Sequence, residues 1–181
     1  MSQTPSYQDP IIEAKVNSPV GIILIKASTV GITHLTMERV FEVPDASIST
    51  QLTHSAVLID SKESDLKCAN GYLHAGIEQL INYFNGTLKS FNLTLSPKGT
   101  VFQQQVWQAL TEIPYGSSCS YSDIANKIQR PKAVRAVGAA NGANPIAIVV
   151  PCHRVIGKSG KLTGYAHGLA MKQYLLNLEV Q

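Results

Sequence analysis

SYSDIANKIQRPKAVRAVGAANG, Ser120 to Gly142, reads as two short helices parted by a tight break, and that reading decides the architecture of the second half of the chain. Ser120 and Asp123 form a capping box, each side chain satisfying a free backbone N–H of the other, so a helix starts at Tyr121. Ile124, Ala125 and Ile128 give it one apolar face, and Arg130 with Pro131 breaks it. A further helix then runs from about Lys132 to Ala140, with Asn141 and Gly142 as its stop. Short helix, break, short helix is a helix-turn-helix pattern. Upstream, Thr100 and Gln103 form another capping box, and Phe102, Val106, Ala109, Leu110 and Ile113 trace a core-facing helix that stops at Pro114.

The helix over 132–140 has an unusual composition. Val134 and Val137 face inward, while Ala133, Ala136 and Ala140, with Gly138 and Ala139 nearby, surround one long cation, Arg135. A major-groove reader usually offers several Arg, Asn or Gln side chains. Small side chains instead let a backbone approach a narrow groove, and a lone Arg suits the gap left by an extruded base. An Ala-rich helix that touches only protein has the same pattern, so the two readings stand side by side.

Beyond this helix lies IVVPCHRVIG, Ile148 to Gly157. Ile148, Val149 and Val150 suit a buried strand that Pro151 ends, which puts Cys152 at a strand terminus. A buried, inert cysteine is the commoner role for such a residue. His153 and Arg154 directly behind it, and the Asn144, Pro145 turn before it, are groups that could tune a thiolate.

Composition narrows the classes. Hydrophobic content of 44% with 15% charged residues describes a globular protein, and no apolar run approaches a membrane span. MSQTPSYQDP has neither the basic nor the apolar region of a signal peptide, so an intracellular, cytoplasmic protein is expected. Cys68, Cys119 and Cys152 are an odd set with no CxxC pair, and His34, His54 and His74 match no compact ligand spacing. Neither a metal nor a cofactor is expected. Up to Pro97 there are six Lys/Arg against nine Asp/Glu, a net −3, and from Lys98 nine against three, a net +6. The second half therefore carries the excess that a polyanion would need.

The first half reads as an α/β unit. Strands are expected at 20–26, 31–37 and 52–60, joined in part by a turn at 28–30. A helix over 71–84 has Leu73, Ile77, Leu80, Ile81 and Phe84 at helical spacing, and Asn85 with Gly86 stops it. Polar loops are expected at 44–50 and 61–64. The expected division is an N-terminal domain over 1–92, a linker over 93–99 with Pro97 and Gly99, and a C-terminal domain over 100–181.

FQQQVWQALTEIPYG, SYSDIANKI, RPKAVRAVGAANGANP, IVVPCHRVIG, TGYAHGLAMKQYLL and the final Glu179 occur in an order and spacing that resemble the O6-alkylguanine-DNA alkyltransferases, nearest to the bacterial Ogt-type members. The resemblance is strong over about 80 residues from Val101 to Glu179 and looser before that, through NSPVGIILIKAS. It implies an RNase H-like α/β first domain and a mainly α, winged-helix-like second domain whose helix-turn-helix enters the minor groove. It also implies a single-turnover protein that moves the alkyl group of O6-alkylguanine, with O4-alkylthymine a further candidate, irreversibly onto Cys152.

The same resemblance assigns roles. His153, through a water, would take the thiol proton, Glu179 would hold His153, Tyr121 would donate to the flipped base, and Asn144 would fix the turn beside the cysteine. Arg135 would replace the flipped base in the stack, with Ala133, Ala136, Ala140 and Tyr121 against the DNA. Tyr165, Ala166, Val155 and Lys172 would line the pocket. The implied partner is double-stranded DNA containing O6-alkylguanine, bound without any membrane by a monomer, with cooperative binding left open. The chain departs from the family pattern at Ala166, where some members have serine, at His167, where glycine is common, and at Gln173 with Tyr174, where Glu and Trp are frequent. A lesion-binding module with an idle thiol and a promoter-reading regulator are the readings from other classes; the second conflicts with so small a set of base-reading side chains.

Overall fold

The computed structural model describes residues 7–40, 44, 45, 47 and 49–180, with Arg39 as backbone only. The polar N-terminal residues 1–6, and positions 46 and 48 of the polar loop expected over 44–50, lie outside the described residues. The chain divides into two compact units, Met1–Lys98 and Gly99–Gln181.

The first unit is an antiparallel sheet with one helix on its face. Strands β1 (Ile12–Ser18), β2 (Gly21–Ser28), β3 (Gly31–Val40) and β4 (Gln51–Val57) lie in the order β3-β2-β1-β4, and helix α1 (Glu63–Phe84) packs on β1, β2 and β3. Ile12, Ala14, Val16 and Ser18 of β1 alternate inward, as do Ile23, Ile25 and Ala27 of β2, and they meet Leu73, Ile77 and Leu80 of the helix in one apolar layer. Strand β1 is not among the strands read from sequence. Its sequence IEAKVNS does alternate, and the outward residues Glu13 and Lys15 pair across the other face, with Lys26 at 3.0 Å and Glu38 at 2.6 Å, but the small inward Ala14 and Ser18 leave few strongly apolar positions.

Two boundaries also move. The helix begins at Glu63 rather than Gly71: its first turn faces solvent, with Glu63 and Asp65 favouring a helix N-terminus, and Leu66 and Ala69 then open the apolar face that Leu73 continues. Residues 94–96, within the expected linker, run along the outer edge of β3: the Ile32 N–H donates to Thr94 O at 2.9 Å, and the Ser96 N–H to Ile32 O at 2.8 Å. Gly31 is required at this crossing, since its φ is +143° and a Cβ would sit 2.6 Å from Thr94 O.

The second unit is mainly helical. Helices α2 (Val101–Thr111), α3 (Tyr121–Lys127), α4 (Val134–Gly142) and α5 (Leu169–Val180) surround a core that includes Val106, Leu110, Ile124, Val137, Met171 and Leu175. Both expected capping boxes form, at Thr100 with Gln103 and at Ser120 with Asp123. Trp107 of α2 donates from Nε1 to Ala140 O at 2.9 Å, which joins α2 to α4. Two-residue strands β5 (Cys119–Ser120) and β6 (Val155–Ile156) pair in parallel and set the start of α3 beside the turn that carries Cys152.

Two local expectations are corrected. Ile148–Val150 is not a strand: the segment is a buried turn in which Val150 N–H donates to Ile146 O at 3.0 Å and Ile148 has φ +71°. A short apolar run between two prolines signals burial, and burial alone does not distinguish strand from turn. Asn141 and Gly142 form the last turn of α4 rather than its stop, because the helix ends on Ala143.

Because the Ser120 cap fixes where α3 starts, and with it Tyr121, Ser120→Ala is expected to lower stability by about 1 kcal/mol, read as a shift in the urea midpoint with unchanged slope.

Candidate active site

Cys152 opens a single 3-10 turn, Cys152–Arg154, and is 5% exposed at the base of a pocket of about 330 Å³. Asn144 clasps the turn from behind. Asn144 donates from Nδ2 to Val150 O at 2.8 Å and to Cys152 Sγ at 3.2 Å, while its Oδ1 accepts the Ile146 N–H at 3.0 Å. This clasp offsets the cost of a β-branched residue, Ile148, in the left-handed region, of order 1–3 kcal/mol. Asn144 therefore does two things at once: it closes the turn and points an N–H at the sulfur.

Behind the thiol is a buried charge network. His153 is 0% exposed and its Nε2 lies 2.8 Å from Glu179 Oε1. Arg154 donates from Nε to Glu179 Oε2 at 2.8 Å, from Nη2 to Oε1 at 3.0 Å and from Nη1 to Ile113 O at 2.6 Å. The Gly116 N–H also donates to Oε2, at 3.3 Å. Burial alone would raise the Glu179 pKa, but the hydrogen bonds and charges of His153 and Arg154 hold it at about 2. Burial pushes His153 below its ordinary value against the pull of Glu179, and Arg154 adds to the lowering. The imidazole is thus neutral, with its proton on Nε2 facing the carboxylate. Its Nδ1 is buried, has no hydrogen-bond partner among the described residues, and keeps a basic lone pair.

Burial likewise pushes the Cys152 thiol up, while the Asn144 amide, the backbone, Lys172 and Tyr165 pull it back. At neutral pH the resting group is a thiol that needs a base. Lys172 is 0% exposed and donates to Val155 O at 2.6 Å and Thr163 O at 3.0 Å. Among the described residues it makes no ion pair, and its charge favours a thiolate at Cys152. The Thr163 carbonyl also accepts the Tyr121 hydroxyl, at 3.4 Å, so one carbonyl fixes the loop before α5 to both the lysine and the start of α3.

Tyr121, Asn144, Cys152, Tyr165 and Ala166, all read from sequence as site residues, line the pocket together with Asn141, His167 and Gly138, Gly142 and Gly164. The Tyr165 hydroxyl is buried beside the sulfur, and its pKa is pushed well above 10 by burial and by the thiolate charge. Two expected wall residues are not there. Val155 and Lys172 are fully buried behind the pocket, where they brace it. On α4 the exposed side carries Arg135, Ala136 and Ala139, with Ala133 half-buried. Ala140, expected on that side, is 3% exposed and turned into the protein, because the 3.6-residue period carries it round to Val137 and the carbonyl that Trp107 grips.

Sequence reasoning gives two of these residues no role and one only part of its role. Arg154 reads as a cation that could tune the thiolate, but its partner is not legible, although a buried arginine needs a buried acid and Glu179 is one of only three acids after Lys98. Asn141 looks like helix-end chemistry. His167 stands out only as a departure, and here its ring packs edge-on against Tyr165 at 5.5 Å between centroids. Among the described residues no group of His, Cys, Asp or Glu is placed to hold a metal ion, and no helix is long and apolar enough to cross a membrane.

The family described as 6-O-methylguanine DNA methyltransferase, DNA binding domain, matches residues 101–181, and the one described as 6-O-methylguanine DNA methyltransferase, ribonuclease-like domain, matches residues 11–97. A methylated-DNA–protein-cysteine methyltransferase of Methanosarcina barkeri is 45% identical over 167 residues, which span 91% of this chain and 94% of that protein. The inducible methylated-DNA–protein-cysteine methyltransferase of Bacillus subtilis is 59% identical over 101 residues, 56% of each chain. Among solved structures, OGT of Mycobacterium tuberculosis in complex with DNA has 42% sequence identity and a TM-score of 0.73, covering 92% of this chain and 91% of that one.

A carboxylate held at about 2 ties stability to pH with a definite sign. Glu179 is harder to protonate folded than unfolded, so its contribution is complete above about pH 4.5 and is lost as pH falls towards 2. Glu179→Gln is expected to cost about 3–5 kcal/mol at pH 7, since it strands the buried Arg154 charge, and to flatten the fall of the denaturation midpoint between pH 5 and 2.

Proposed function

The chain belongs to the 6-O-methylguanine DNA methyltransferases and reverses the alkylation of guanine in DNA directly; from that premise we propose that Cys152 is the acceptor and is consumed in one turnover. The observation that carries this reading is a buried thiol at the base of a pocket, facing an amide N–H at 3.2 Å and backed by a neutral histidine on an ionised carboxylate. Neither Cys68, exposed on α1, nor Cys119, half-buried in β5, has such surroundings.

The partner is duplex DNA. Helix α4 lies along the minor groove with Ala136 and Ala139 at its surface, and Arg135 fills the stack where the damaged base has left it. The extruded base enters between Tyr121 and Tyr165, and its O6 substituent reaches the sulfur. A water passes the thiol proton to His153 Nδ1, while the Nε2 proton stays on the imidazole, donated to the Glu179 carboxylate. The sulfur then attacks the alkyl carbon: the S–C bond forms, the C–O6 bond breaks, and its electron pair returns to the guanine. The Tyr121 hydroxyl leaves Thr163 O and donates to the departing base. A thioether remains that no group in the pocket can cleave, which makes the transfer stoichiometric. Three free cysteines suit a reducing compartment, and the protein acts where the DNA is, in the cytosol.

Intact-protein mass spectrometry after incubation with a duplex bearing one O6-methylguanine is expected to show at most one added methyl per chain, mapped to Cys152 and absent in Cys152→Ser. Unmodified wild type that still binds the lesion would overturn the assignment. Arg135→Ala is expected to slow transfer from duplex about tenfold or more and to slow it far less on single-stranded DNA, where no base needs replacing. Binding should weaken as salt rises, with little dependence on sequence.

A further inference from the structure

Asn141 lies in the last turn of α4 and lines the pocket, 4% exposed. Its Nδ2 donates to the Cys152 carbonyl at 3.3 Å, and this contact fixes the orientation of the amide, because a carbonyl can only accept. The other half of the amide, Oδ1, is buried and has no hydrogen-bond partner among the described residues. An unpaired buried acceptor costs stability, and bracing the Cys152 carbonyl requires only a donor. The remaining polar groups of the wall do not supply the missing partner: the Asn144 N–H groups are spent on Cys152, Val150 and Ile146, and the Tyr121 hydroxyl donates to Thr163.

The chemistry of the damaged base identifies a donor that would. Alkylation at O6 removes the proton from guanine N1, so the pairing edge keeps a single donor, the 2-amino group. O4-alkylthymine has lost its N3 proton and keeps none. We propose that Asn141 Oδ1 accepts a hydrogen bond from the 2-amino group of the extruded O6-alkylguanine, and that this contact makes the pocket prefer alkylated guanine to alkylated thymine. The proposal rests on the reading that Cys152 accepts the alkyl group. A site built to bond a substrate N–H discriminates against an analogue without it, because the buried acceptor is then left unpaired at the moment of reaction.

The test deletes each partner in turn. Single-turnover rates of Cys152 methylation are measured on duplexes that differ at one base, O6-methylguanine, O6-methylhypoxanthine, which lacks only the 2-amino group, and O4-methylthymine. Wild type is expected to react at least about tenfold more slowly with the two bases that lack the amine, the factor of one ordinary hydrogen bond. Asn141→Leu and the smaller change Asn141→Ala should bring O6-methylguanine and O6-methylhypoxanthine to within about twofold of each other, and Asn141→Asp, which keeps an acceptor, should retain the preference. If the side chain only braces Cys152, every substrate slows by the same factor and the ratio stays as in wild type, which overturns the proposal. Equal rates for wild type on O6-methylguanine and O6-methylhypoxanthine overturn it too, whether or not any variant folds. Failure of wild type to methylate Cys152 from O6-methylguanine would instead remove the reading beneath it.

Discussion

The carboxylate of Glu179 holds the second unit's chemistry together. It sits in the last turn of α5 yet takes hydrogen bonds from Gly116 and from the adjacent His153 and Arg154, so two segments distant in sequence converge on its two oxygen atoms. The division of labour among its partners matters more than their number. A buried carboxylate facing a lone histidine would draw the proton onto the imidazole and leave an imidazolium unable to accept another. Arg154 supplies the compensating charge permanently, since a guanidinium does not deprotonate in proteins. His153 is thereby free to remain neutral, and a neutral imidazole is what a buried thiol needs nearby. Glycine at 116 belongs to the same arrangement: its φ is +71° and a Cβ there would stand 2.8 Å from Glu179 O.

In front of the carboxylate, the turn over 146–151 carries its own constraint. Ile148 in the left-handed region is unfavourable for a β-branched side chain, and the Asn144 clasp with its buried neighbours over-determines it. Such a turn has little freedom to yield, so the sulfur is presented at a fixed point while the loop before α5, tied at Thr163 to Tyr121 and Lys172, forms the opposite wall. Preorganisation of this kind suits the proposed transfer, in which the sulfur, the alkyl carbon and the leaving oxygen must align.

Legibility in the sequence followed the reach of each signal. Capping boxes are local, and both form where Thr100 and Ser120 place them. The helix-turn-helix and the stop of α1 at Asn85 and Gly86 are local too. The strand at Ile12–Ser18 alternates like a half-buried strand, but the small Ala14 and Ser18 on its inward side make the pattern faint, whereas the strand expected at 148–150 is an apolar run whose backbone direction is set by Asn144 and two prolines. The pairing of His153 with Glu179 came from resemblance, since nothing in a lone acid near the end of the chain shows that a helix folds it back. Arg154 and Asn141 were illegible for a related reason: each acts through a contact to a residue 25 or 11 positions away. Ala140 was misplaced for a geometric one, as the small residues of α4 continue past the edge of its exposed side.

Trp107, the chain's single tryptophan, is buried and bonded to the Ala140 carbonyl, so every indole photon comes from the contact between α2 and α4. Tryptophan emission therefore reports on the second unit alone, whereas far-ultraviolet circular dichroism sums the sheet of the first with the helices of both. In a protein of two compact units the two signals need not change together. The distance between their transitions is a built-in optical gauge of how far the ribonuclease-like unit and the reactive unit unfold as one.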